Sequence, residues 1–257
     1  TVHWHGLHVP PDVDGQPRLP IGPGESFDAV FDVADRAGLY WYHPHPHGPD
    51  GGRVGFQAVA GLAGPLVIED EAERALDLPR GDQELILMLQ DRRFTDDNQL
   101  TYAGGMMTRM HGFRGDRILV NGQPDARRSV ATRAYRLRVL NGSNARIYKL
   151  AWSDGRPVTV IGTDGGLLAE AEQRPHVTLA PAQRADLWVD FSDTAVGAQV
   201  QLISDAHDGG MMGGMMQDGG TMGEMMQGDS MDGMMGAERF PLVRFDVERR
   251  EAVAEKR

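Results

Sequence analysis

The chain has 257 residues, too long for one small domain and suited to two of ordinary size. Its formal net charge of −11 argues against a nucleic-acid partner, whose phosphates need a basic face. No stretch approaches the roughly 20 apolar residues of a membrane span, so membrane insertion is not expected. The absence of cysteine excludes a disulfide framework and any thiolate ligand within these residues, without fixing the compartment.

The opening Thr1-Val2-His3-Trp4-His5-Gly6 already reads as the middle of a strand. With no initiator Met and no signal segment, the natural start is expected to lie upstream. Phe27, Ala29 and Phe31 alternate with Asp28, Val30 and Asp32, which is a strand pattern. Leu39 to His43 follows as a strand, then a Gly-rich loop at 48–55 and a closing strand over 63–69. The charged stretch 71–81, with Pro79 and Gly81, suits a short helix or linker.

A second block repeats the short-strand pattern. Glu84 to Leu89 is a strand, and Ile118 to Gly122 ends a strand in a tight turn. Tyr135, Leu137 and Val139 alternate with Arg136 and Arg138, which predicts a half-buried strand with the arginines on a solvated face. Residues 158–161, 187–191, 200–203 and 240–245 continue the series. Many short strands with frequent turns predict an all-β sandwich or barrel. Residues 208–236 differ: they hold ten of the 14 methionines among Gly, Asp and Gln, with no apolar periodicity. They read as a low-complexity insert in the turn of a strand pair. Exposed thioethers are soft ligands that favour Cu(I), so the insert is expected to bind copper, with a merely disordered loop as the alternative.

His3 and His5 lie two apart on a strand, so both rings leave one face, about 7 Å apart at the backbone. His43 and His45 repeat the arrangement, and Pro44 and Pro46 keep that stretch extended and off a central ladder. Two such pairs can converge on a small metal cluster, and neutral imidazole suits copper, zinc, iron or nickel. His47 continues the period and is expected to bond locally or face solvent. His8 falls off the period of the first pair and is expected to stand outside the cluster. His111, His176 and His207 are expected to be surface or satisfied core residues, and Trp4 and Trp41 to pack behind the cluster.

These residues resemble the multicopper oxidases, close to bacterial laccases and copper efflux oxidases. His3-Trp4-His5-Gly6-Leu7, Val13-Asp14-Gly15, Trp41-Tyr42-His43-Pro44-His45-Pro46-His47-Gly48 and Gly61 to Ile68 stand in that family's order. Leu119 to Gly122, Arg136 to Ser143 and Leu179 to Asp186 are similar to its middle domain. The resemblance implies tandem cupredoxin-like Greek-key β-sandwiches. The first, 1–70, is expected to be incomplete at its start. The second spans 82–248 with the Met-rich insert 208–236, and 249–257 form a linker to a third domain lying outside these residues.

The resemblance further implies that His3 binds a type 2 copper, that His5, His43 and His45 bind a type 3 pair, and that Asp14 helps deliver protons to oxygen. The remaining ligands, and the cysteine-bound type 1 copper, would belong to the third domain. The implied activity is one-electron oxidation of phenols or Cu(I) coupled to reduction of dioxygen to water, in a periplasmic or secreted setting. With half the ligand set, this chain alone is expected to be inactive. The alternative is a copper-binding or copper-buffering module without turnover.

Overall fold

The computed structural model describes residues 1–46, 54–102, 106–206 and 239–251. Residues up to 74 hold β1 (Val2–His5), β2 (Gly38–Pro44), α1 (Val54–Val59), β3 (Gly64–Ile68) and α2 (Glu71–Arg74). The three strands form an antiparallel sheet in the order β1-β2-β3. Alternation of side chains along β2 buries Leu39 and Trp41 against Met88 and Leu140 of the following body. Residues 27–32 alternate as a strand should but pair with no strand among the described residues, and Phe27 and Val30 stand exposed. Alternation marks which residues share a face, but a strand also needs a neighbour to complete its backbone hydrogen bonds.

The remaining chain holds β4 (Glu84–Phe94), β5 (Leu100–Thr101), α3 (Met106–His111), β6 (Arg117–Val120), β7 (Ala126–Ala131), β8 (Ala134–Asn141), β9 (Tyr148–Trp152) and β10 (Val158–Thr163). It continues with β11 (Gly166–Arg174), β12 (Val177–Leu179), β13 (Arg184–Asp190), β14 (Gln199–Ser204) and β15 (Phe240–Arg249). One sheet runs β11-β10-β13-β8-β4-β5, with β6 also on β4, and the other runs β12-β9-β14-β15-β7. The parallel pairs β4–β8 and β15–β7 mark crossovers within an otherwise antiparallel arrangement. Leu87, Leu137 and Leu187 of the first sheet pack with Leu150, Leu202 and Phe245 of the second, all fully buried. Burying a side chain of this kind contributes about 1.5–3 kcal/mol, so the two sheets sandwich the main core.

The turn after β6 places Asn121 at φ 52° and Gly122 at φ 78°, the left-handed pair that a two-residue hairpin turn requires. β14 and β15 pair antiparallel from Gln199–Asp246 to Ser204–Phe240, so the chain does return on itself there. The intervening Met-rich insert 208–236 lies outside the described residues, as do His47, His207 and residues 252–257. Among the described residues no helix is long and apolar enough to cross a membrane.

Arg136 and Arg138 do not face solvent. Both are fully buried on β8, where they meet Glu73 of α2, Glu84 of β4 and Asp186 of β13. Arg138 Nη2 donates to Glu73 Oε1 at 2.7 Å, and Arg136 Nε donates to the Asp186 carboxylate at 2.9 and 3.0 Å. Arg136 also donates to Glu73, and Arg138 to Glu84. Strand alternation correctly put the arginines on one face, but that face is covered by α2 and met by the carboxylates of Glu73, Glu84 and Asp186 rather than by water.

Candidate metal centre

β1 and β2 pair so that His3 stands opposite His43 and His5 opposite Trp41. The i, i+2 spacing then brings all four of these rings to one face. His45 follows β2, and its N–H donates to Thr1 O at 3.1 Å, which keeps the strand pair in register past Pro44. The His3 ring centroid lies 5.5 Å from His5, 5.2 Å from His43 and 5.6 Å from His45. His43 lies 5.6 Å from His5 and 6.2 Å from His45. Nitrogens of His3, His5 and His43 all come within 4.8 Å of one another, close enough to share one ion or adjacent ions. The structure thus brings together the four histidines singled out from their spacing.

Hydrogen bonds settle which nitrogens are free. His3 Nδ1 donates to Asp14 Oδ1 at 2.9 Å, and that oxygen also accepts the Trp4 N–H at 3.3 Å. His43 Nδ1 donates to Pro44 O at 2.9 Å. In both rings the Nε2 lone pair is left for another partner, as metal-ligating histidines require. His5 Nδ1 and His43 Nε2 face each other at 3.4 Å. His45 Nδ1 is buried with no hydrogen-bond partner. An orphaned imidazole nitrogen beside three convergent ones is costly unless something electrophilic completes it, so the donor set fits a transition metal. Burial pushes His5 down to about 4, helped by the charge of Arg184 and the neighbouring His3 and His43, with Asp14 opposing. Burial also lowers His43. Both are therefore neutral near pH 7, the ligating form.

Trp41 is buried on the same face, with its ring centroid 4.9 Å from His5 and 4.5 Å from His43. Trp4 does not share this face. Lying between His3 and His5, it points to the other side, against Phe31 at 5.4 Å and Tyr42 at 6.2 Å. His8 stands outside the cluster, with its side chain 91% exposed and Nδ1 bonded to Asp35 at 2.5 Å. His111 and His176 are exposed.

The residue that spacing missed is Arg184, at the start of β13. It is buried, donates from Nε to Leu39 O of β2 at 2.9 Å, and lies over the Tyr40 ring. The two residues are 145 positions apart, beyond the reach of any local pattern.

A small antiparallel sheet carrying the histidine face, followed by a two-sheet sandwich, has the make-up of cupredoxin-like β domains. Residues 1–73 match a family model described as "Multicopper oxidase". The chain is 35% identical over 205 residues to "Multicopper oxidase mco" of Staphylococcus haemolyticus, covering 80% of this chain and 44% of that protein. It is 38% identical over 189 residues to "Cell division protein FtsP" of Xenorhabdus nematophila, covering 73% of this chain and 38% of that protein. The solved structure of McoA multicopper oxidase from Aquifex aeolicus superposes with a TM-score of 0.79 at 36% identity, over 98% of this chain and 50% of that one. Residues 1–73 form a multicopper oxidase family domain, and most of the chain is similar to multicopper oxidases in sequence and in structure. The chain spans less than half the length of the curated relatives it matches here.

Proposed function

We propose that this chain supplies part of the oxygen-reducing copper site of a laccase-type or cuprous oxidase. His3 binds a type 2 copper, and His5, His43 and His45 serve a type 3 pair. Convergence of four imidazoles from paired strands, with the outward nitrogens of His3 and His43 already tied to acceptors, carries this reading. When bound, copper supplies one-electron redox chemistry between the reducing substrate, a phenol or Cu(I), and dioxygen. Reduction of one dioxygen to two waters takes four electrons and four protons.

The chain's own residues bind, orient and shield. Asp14 fixes the His3 ring and, as a partly exposed carboxylate beside the cluster, is placed to pass protons inward. Trp41 closes the site on the side of His5 and His43. With no cysteine in the chain, the type 1 copper that receives substrate electrons must be held by other residues. We therefore expect no phenol oxidation from these 257 residues alone. The proposed setting is periplasmic or secreted, where copper and phenols are met.

The test is titration of the purified chain with copper, followed by spectroscopy. Binding lost in a His3→Ala, His45→Ala double variant supports the reading, and a wild-type chain that binds no copper overturns it. Some relatives carry a cell-division name rather than an oxidase name, and the second reading is a copper-binding module without turnover. Oxygen uptake with a phenol or Cu(I) in the full-length protein, above that of the same copper without protein, separates the two, since only an oxidase adds turnover to the uncatalysed reaction.

Removing Asp14 probes the outer support of the site. Asp14→Ala is expected to weaken copper binding by about 10–100-fold, the usual effect of losing the partner that orients a ligating histidine. The His8→Ala variant, altered on an exposed ring outside the cluster, serves as the control with unchanged affinity. Chelator competition measures both, and equal affinities in the two variants would dismiss the orienting role.

A further inference from the structure

We propose that Arg184 is a positioning residue of the histidine cluster: from the larger body it locks the His5–Gly6 turn and β2 in place. We propose further that its charge biases the copper held there toward Cu(I). This rests on the copper reading above.

The guanidinium spends its donors on fixed acceptors. Nε donates to Leu39 O at 2.9 Å, Nη1 to Ala182 O at 3.2 Å, and Nη2 to Asp164 O at 3.1 Å. Asp164 Oδ1 lies 3.1 Å from Nη1 and also accepts the Arg184 backbone N–H at 2.6 Å. A planar fork held at every arm is rigid, which a lysine at the same place could not reproduce. On the smaller body the hydrogen bond falls on β2, and the guanidinium also stands close against the Gly6 turn that follows β1. Leu39 O lies on β2 two residues before Trp41, whose ring packs on His5 and His43.

Gly6, directly after His5, has φ +92°, and a Cβ there would stand 2.7 Å from Arg184 Nη2 and 3.1 Å from the Tyr40 ring. The turn that ends the first His-X-His pair is therefore moulded against this guanidinium. Its opposing charge is Asp164, whose side chain is 45% exposed and so partly screened by water. A buried positive charge behind His5 disfavours the more highly charged Cu(II) relative to Cu(I).

The experiment measures Cu(I) and Cu(II) affinities of the 257-residue chain by anaerobic and aerobic chelator competition. Arg184→Gln is expected to weaken binding and shift the Cu(I)-to-Cu(II) affinity ratio about tenfold toward Cu(II), equal to about 1.4 kcal/mol. Arg184→Lys keeps the charge and loses the fork, so both affinities should fall with the ratio held. Asp164→Asn leaves Arg184 in place and removes its counter-charge, so the ratio should move the opposite way, toward Cu(I). Because Asp164 is near the surface, this variant decides the question even if near-ultraviolet dichroism shows Arg184→Gln to be misfolded. Unchanged ratios in the folded variants overturn the proposal while leaving copper binding intact. A wild-type chain that binds neither ion overturns both this proposal and the copper reading.

Discussion

Arg138→Met is expected to destabilise the fold by about 3–5 kcal/mol at neutral pH, the usual cost of removing one partner from a buried ion pair. Arg138 is fully buried, and with Arg136 it faces three carboxylates, those of Glu73, Glu84 and Asp186. Without it, one guanidinium would remain against three acids. Burial already raises the Asp186 carboxyl above its ordinary 3.8, with the arginine contacts opposing. Losing Arg138 removes part of that opposition, so the carboxyl should rise further. An acid whose folded pKa lies above its unfolded value binds protons in the folded state first. Its stabilising contribution is complete below about 3.8 and is lost as pH rises through the folded value. The deficit of Arg138→Met should therefore be smaller near pH 5 than at pH 7. Urea unfolding at the two pH values measures it, and an equal deficit at both would show that the acids stay ionised.

The largest effect at the metal centre is expected from His43→Ala. This ring neighbours every other member, with centroids 5.2 Å from His3, 5.6 Å from His5 and 6.2 Å from His45, and it also packs at a tilt against Trp41 at 4.5 Å. Losing a ligand itself should exceed the roughly 100-fold upper effect of losing an outer partner. Copper affinity should fall below that of Asp14→Ala while the thermal midpoint of the metal-free chain changes little. A variant that binds copper as well as Asp14→Ala would remove His43 from the ligand set.

The histidine cluster was legible because it needs only local information. Alternation along a strand puts His3 with His5, and the two proline-flanked residues His43 and His45 follow the same rule. The same rule, applied to Trp4, excludes it from the face its neighbours share. What the pattern could not supply was the identity of the covering layer. Arg136 and Arg138 alternate as a polar face would, yet Glu73 reaches them from a helix more than 60 positions earlier. A charged stretch that reads as a short helix or linker, and does form α2, therefore contains a fully buried carboxylate. Residues 27–32 show the reverse case, with a strand's alternation and no paired neighbour among the described residues. Arg184 belongs with these long-range features, since only the folded chain shows that β13 touches β2.

The chain contains four tryptophans, and their settings differ sharply. Trp152 sits in the main core and Trp188 is half-buried on the larger sheet, while Trp4 faces away from the histidines. Trp41 alone among them lies flat enough to touch two of the four imidazoles, and its indole N–H is buried with no partner. Its emission should consequently be blue-shifted and open to quenching by paramagnetic Cu(II) but much less by diamagnetic Cu(I). The molecule carries its own optical gauge of copper oxidation state, readable through Trp41 without any added dye.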